Sequence, residues 1–170
     1  MVEIYTFRGL SNEEDSFYLE ISVRSDQTFL DFHNGIQKGL GFDNGQMASF
    51  YLTNKKWEKE KEITLIDMSE EQVEDILNME GTRIKEMIIG EKTRLLYVFD
   101  FFFERALNLE LINKELIDIT DDYPQIMTCR GTIPSQLISP GEVSYDFDDT
   151  FDEDDLDPDI RFESLDGVDL

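Results

Sequence analysis

A single cysteine, Cys129, excludes any disulfide within this 170-residue chain and suits a reducing compartment. It has no second thiol and no histidine near it in sequence to activate it, so it reads as a buried, inert residue. A single histidine, His33, leaves no Cys–His cluster to hold a metal, and any Ser-His-Asp chemistry would run through it alone. Basic residues are scarce too. Fifteen Lys and Arg stand against 39 Asp and Glu, for a net charge of −24. Affinity for nucleic acid comes largely from Lys and Arg releasing counterions, so direct binding to DNA or RNA is not expected. The one basic cluster, Lys55-Lys56-Trp57-Glu58-Lys59-Glu60-Lys61, is diluted by its own glutamates. Apolar runs fall short of the ~20 residues that span a bilayer, and the N-terminus has no basic segment leading into an apolar one. Neither a Gly-rich phosphate loop nor a G-x-S-x-G elbow occurs. The expectation is a soluble, cytoplasmic protein with no cofactor, no metal and no membrane contact.

What the chain has in excess is negative charge, unevenly placed. From Glu142 to Leu170 thirteen carboxylates face one base, Arg161, a net of −12, and the preceding 141 residues carry the other −12. Tyr145, Phe147, Phe151 and Phe162 are spaced through that acid. Self-repulsion and few aliphatic residues keep such a segment from burying enough surface to fold alone. The organisation expected is one α+β domain over residues 1–140 and an acidic, flexible tail over 141–170. Asp146-Phe147-Asp148-Asp149-Thr150 resembles a calcium loop only in part, since the central Gly and the bidentate Glu are missing. The tail has two further readings. It docks on a basic groove of a partner protein through Tyr145, Phe147, Asp148, Phe151 and Asp152, or it lies along the edge of its own domain's sheet.

Periodicity divides the body. Val2–Phe7 and Phe17–Arg24 alternate as strands and are expected to pair as an antiparallel hairpin across a polar loop, Gly9–Ser16. Thr28 with Asp31 forms a variant capping box, and Phe29, Phe32, Ile36 and Leu40 then share one helix face, closed by Gly41. Gly35 and Gly39, one turn apart, predict a face where something packs closely. Strands are expected at Met47–Thr53 and Glu62–Ile66, around a loop at Asn54–Lys61. Ser69-Glu70-Glu71-Gln72 opens a short helix expected to bury Val73, Ile76 and Leu77, and Thr82–Ile89 reads equally as helix or strand. The apolar run Leu95–Phe103 predicts a central strand covered on both faces. Leu107, Leu109 and Leu111 alternate with Asn108 and Glu110 in a half-exposed partner, and a short strand is expected at Gln125–Cys129. This order fits a β-grasp-like roll: a mostly antiparallel sheet packed with one main helix.

Thr28-Phe29-Leu30-Asp31-Phe32-His33-Asn34-Gly35-Ile36, then Gly41-Phe42-Asp43-Asn44-Gly45-Gln46 and Phe50, resembles the helix block of the plasmid pRiA4b ORF-3-like family. That block reads roughly T-F-x-x-L-H-x-x-I, then G-W/F-x-x-x-H and an aromatic. Tyr97-Val98-Phe99-Asp100-Phe101 is similar to the start of the family's Y-x-Y-D-F-G-D-x-W-x-H. Tyr123-Pro124 and Gly131 with Pro134 fall where the family has Y-P and a Gly before a P-P-E-D-like segment. The resemblance spans about residues 1–138 and omits the tail. Its departures are informative. The family's G-D-x-W-x-H falls on Phe102, Phe103, Glu104, Arg105, Ala106 and Leu107, and its His after the helix falls on Gln46. The resemblance therefore implies that whatever the family's polar cluster binds or catalyses is lost here, and it implies at most an accessory role on mobile DNA.

Asp100 is an acid inside an apolar run. Buried and unpaired, it would have a raised pKa suited to acid–base work; alternatively it pairs with Arg94, Arg105 or Arg83, or reaches solvent at a strand end. With Tyr97 and His33 it makes up the candidate ligand-binding set. Three functions follow as expectations. The first is a non-enzymatic interaction module whose tail contacts a partner with a basic surface. The second is a ligand-binding protein or enzyme with a cleft near Asp100. The third is an accessory protein of mobile DNA elements.

Overall fold

A computed structural model describes residues 1–66 and 76–138. The chain divides into two units, Met1–Ile138 and Ser139–Leu170, and the first holds all the described residues. β1 (Val2–Ser11) and β2 (Tyr18–Arg24) form the expected antiparallel hairpin, with Thr6 opposite Ser22. Gly9, Leu10 and Ser11, expected in the loop, instead continue β1. The reason is non-local: they pair with Leu109, Asn108 and Leu107 of a later strand.

α1 (Phe29–Leu40) forms as the sequence predicts. The Thr28 hydroxyl accepts the Asp31 N–H at 3.2 Å while the Asp31 carboxylate accepts the Thr28 N–H at 3.0 Å. Two orphan donors of the first turn are thereby satisfied. Phe29, Phe32, Ile36 and Leu40 are buried, and Gly41 ends the helix at φ 69°, a left-handed conformation that glycine adopts without steric cost.

β3 (Ser49–Thr53) and β4 (Lys59–Thr64) make a second hairpin, with β4 beginning inside the stretch expected as a loop. The capping box at Ser69 and the Val73 expectation lie outside the described residues. Ile76 and Leu77, expected on a helix, instead form β5 (Ile76–Asn78), parallel to β4, with Ile76 40% exposed and Leu77 packed against the core. Three residues carry no period to separate helix from strand, and the open edge of β4 supplies the hydrogen-bond partner. The ambiguous Thr82–Ile89 contains a one-turn helix, α2 (Ile84–Met87).

β6 (Arg94–Asp100), β7 (Arg105–Ile117) and β8 (Gln125–Arg130) complete an α+β fold whose described strands form one mixed sheet. Its order is β5-β4-β3-β6-β7-β1-β2-β8, antiparallel except at β4–β5. Phe7, Leu19, Ile21, Phe50, Leu95, Tyr97, Leu107 and Leu109 join the apolar face of α1 in one core. Phe32 lies between Phe7 and Phe50, with ring centroids 5.0 and 5.1 Å away. The close approach predicted by Gly35 and Gly39 is to β8 and the residue before it: a Cβ on Gly35 would fall 2.5 Å from Pro124, and one on Gly39 2.6 Å from Ile126.

Two burial expectations are corrected. β6 is covered on both faces at Tyr97, Val98 and Phe99, but the strand ends at Asp100, and Phe101, Phe102 and Phe103 form an exposed turn. The Asp100 carboxylate accepts the N–H groups of Phe102 and Phe103 at 3.0 and 3.1 Å. That local capture competes with the ladder and turns the chain out of the sheet. Cys129, expected to be buried, is exposed. It lies on β8, which pairs with β2 at one end of the sheet, three residues beyond the Ile126 that Gly39 covers near the end of α1.

Candidate functional site

His33 and Gln37 stand one turn apart on α1, so both project from its apolar face toward the sheet. Tyr97, on β6 opposite Phe50, projects toward them. The Tyr97 hydroxyl lies 2.8 Å from His33 Nδ1 and accepts the Gln37 side-chain N–H at 2.5 Å. All three side chains are buried. Burial lowers the His33 pKa to about 4, since no water remains to solvate an imidazolium. The ring is therefore neutral near pH 7, and Nδ1 can accept the Tyr97 O–H. Burial also raises the Tyr97 pKa, which the Gln37 bond partly opposes. The three groups hold one another in a fixed, uncharged arrangement.

From Gln37 the network runs toward the end of the sheet. The Gln37 carbonyl accepts from the Gln136 amide at 3.3 Å, and Gln136 also bridges the Asp43 backbone, accepting its N–H at 2.5 Å and donating to its C=O at 2.9 Å. The Gln136 and Ser135 carbonyls accept from the Arg105 guanidinium. Arg105 is only 5% exposed; its single Nε–H is shared between the two Glu13 carboxylate oxygens, each 2.9 Å away, and a terminal nitrogen donates to Glu13 at 2.5 Å. Its other terminal nitrogen reaches the Asp100 carboxylate at 3.5 Å, and the guanidinium lies 5.0 Å from the Phe99 ring centroid. Hydrogen bonding to Glu13 raises the Arg105 pKa, so the cation is permanent.

The structure thus joins the three sequence candidates, Asp100, Tyr97 and His33, through Gln37, Gln136 and Arg105. Asp100 takes the paired form: one carboxylate oxygen caps the Phe102–Phe103 turn and the other meets Arg105. A cleft of about 390 Å³ opens beside it, lined by Gln46, Met47, Phe102, Gln136 and Leu137 among others. Among the described residues no three His, Cys, Asp or Glu side chains gather at a metal-binding spacing. The tail candidates Tyr145, Phe147, Asp148, Phe151 and Asp152 lie outside the described residues. Sequence reasoning named Arg105 as one possible partner of Asp100, which the structure bears out, but missed Gln37, Gln136 and Glu13. Gln37 had a local signal, a polar residue four positions from His33 on an apolar face. Gln136 and Glu13 had none, because their partners are distant in sequence.

A family model described as plasmid pRiA4b ORF-3-like protein matches residues 9–142. No curated protein matches the chain. Among solved structures it is similar to the crystal structure of a protein of unknown function, MM3350, from Methanosarcina mazei Go1. The two share 15% identity with a TM-score of 0.58, over 76% of this chain and 70% of that one. At that identity the likeness is one of fold. Among the described residues no helix is long and apolar enough to cross a membrane.

Proposed function

The chain belongs to the plasmid pRiA4b ORF-3-like family, and within it we propose that this protein is a non-enzymatic interaction module: a β-grasp-like, cytoplasmic domain whose acidic tail, residues 141–170, contacts a partner protein with a basic surface. The observation that carries this reading is the state of the titratable candidates. His33 and Tyr97 are sealed in the core against each other, and both Asp100 oxygens are committed, one to the turn and one to Arg105. General acid–base catalysis needs hydrogen-bond reach to the substrate proton, which core burial denies to His33 and Tyr97. What the protein offers to its surroundings is charge, −24 in all, half of it in the last 29 residues.

Such association is electrostatic and weakens as salt shortens the Debye length to roughly 8–10 Å and below. The test is an affinity pull-down from the native cell at low and high salt, with the full chain and with a full-length variant whose tail carboxylates are changed to amides. The reading requires partners that the wild type recovers at low salt and the neutralised variant loses. Recovery of the same partners by both proteins would refute it. A second reading draws on the plasmid named in the family's description: an accessory protein of mobile DNA elements, acting through protein contacts or by mimicking nucleic-acid charge. Genes that flank this one would test it, and a neighbourhood free of transposition or plasmid functions in many genomes would count against it.

A further inference from the structure

The β6–β7 turn is unusual for the surface of a charged protein. Phe101, Phe102 and Phe103 are 45%, 85% and 45% exposed, and Leu137 and Met47, across the adjoining cleft, are also exposed. Contiguous exposed aromatic surface of this kind marks a contact site more often than a solvated one. The patch is also braced from beneath. Asp100 caps the turn through the Phe102 and Phe103 N–H groups, Arg105 holds Asp100, and Glu13 holds Arg105. Phe102 and Phe103 stack edge to face with centroids 4.7 Å apart. A surface ordered before binding loses little further entropy on contact, and this favours affinity.

Charge decides the occupant. Among the described residues no Lys or Arg lines the cleft, whereas Asp100 does, and Glu104 follows the turn directly. Arg105 beside it is buried and neutralised by Glu13 and Asp100. An apolar knob set in an acidic rim, on a chain of net charge −24, complements an apolar stripe flanked by Lys and Arg. We propose that the Phe101–Phe103 turn and the cleft beside it dock an amphipathic basic segment of a partner protein. This rests on the interaction-module reading and supplies its apolar contact: the turn anchors, and long-range charge steers.

The probe is a fluorescein-labelled synthetic helical peptide with leucine on one face and lysine on the other, titrated with the full-length protein and followed by anisotropy. Saturable binding is expected, weakened about ten-fold or more by Phe102→Ser, the scale of a buried aromatic anchor. A peptide with glutamate in place of each lysine should not bind. Phe102 is 85% exposed, so its replacement leaves the core intact, and an unchanged thermal melt verifies this. Phe102→Ser with wild-type affinity overturns the proposal, as does equal binding of the glutamate peptide. Sedimentation velocity adds one more decisive outcome: a dimer that Phe102→Ser converts to monomer assigns the patch to a second copy of this chain instead. Tail neutralisation that abolishes binding while Phe102→Ser does not would leave the interaction-module reading standing and remove the turn from it. If neither variant alters binding, both fail.

Discussion

Replacing Gly35 by alanine opposes two effects of known size. In an exposed helix interior the change stabilises by ~1 kcal/mol, because alanine loses less backbone freedom on folding. Here the new methyl would sit 2.5 Å from Pro124 Cβ and 2.8 Å from its Cγ. No carbon pair tolerates that approach, so either α1 or the segment leading into β8 must move. The proline ring has no rotamer in which to retreat, and Gln27 holds the preceding carbonyl, that of Tyr123, at 2.6 Å. Overpacking of this kind costs ~1–3 kcal/mol, and a rigid neighbour places it toward the upper end. Gly35→Ala should therefore destabilise by about 2 kcal/mol net, lowering Tm by roughly 4–8 °C in a domain of this size.

Gly39→Ala is the internal control. Its methyl would meet Ile126 Cγ1 and Cδ1 at 2.6 Å, atoms of a side chain that can rotate away, so its net effect should stay within about 1 kcal/mol of wild type. In an Ile126→Ala background, which removes both clashing atoms, Gly39→Ala should become stabilising by ~1 kcal/mol. Urea unfolding followed by far-ultraviolet circular dichroism measures all five proteins, wild type and the Ile126→Ala parent included. A Gly35→Ala variant at least as stable as wild type would refute the argument that these glycines exist for close packing.

Three further outcomes follow from the buried network. His33 has its pKa lowered from 6.5 to about 4, so between those values the unfolded chain takes up a proton that the folded one refuses. Stability from this group is complete above pH 6.5 and is lost as pH falls toward 4, by about 3 kcal/mol if the whole shift acts; His33→Gln should flatten the difference, read from urea midpoints across that range. Tyr97→Phe leaves the His33 ring nitrogen and the Gln37 amide without their common partner, and should cost about 2–4 kcal/mol by the same assay. Arg105→Ala removes the buried guanidinium from two partly exposed carboxylates, Glu13 and Asp100, and should cost ~1–3 kcal/mol once solvent screening is allowed for; a loss below ~0.5 kcal/mol would show that the ion pair is solvated and not structural.

The parts of this fold that the sequence made legible are those set by local interactions. α1 could be placed to the residue because its cap, its apolar face and its terminating glycine all lie within fourteen positions, from Thr28 to Gly41. Gly35 and Gly39 showed that something must come close but not what, since Pro124 and Ile126 lie far along the chain. The β1 extension through Ser11 was hidden for the same reason: Gly9-Leu10-Ser11 reads as a turn until a distant strand offers it a ladder. At Phe101–Phe103 the error was of another kind. An apolar run signals burial only if the backbone stays extended, and one carboxylate at its start, taking two N–H bonds, ended the strand. His33, Tyr97 and Asp100 were each singled out as unusual, but their connection depends on three contacts between residues far apart in sequence: Tyr97 with Gln37, Gln37 with Gln136, and Gln136 with Arg105.

That connection bears on where sequence change in this family can be tolerated. Asp100 matches the resemblance, whereas the two residues whose N–H groups it caps, Phe102 and Phe103, stand where Gly and Asp would be expected. A backbone N–H is indifferent to its own side chain, so the turn can keep its cap while its outward surface changes from polar to aromatic. Arg105, where the resemblance places tryptophan, reaches Asp100 and Glu13 and packs on Phe99. A planar guanidinium stacks on an aromatic ring much as an indole does, and it adds donors for the carboxylates around it. The scaffold beneath the turn is thus held by backbone bonds and one stacked cation, which leaves Phe102 and Phe103 free to present a new surface without loss of the fold.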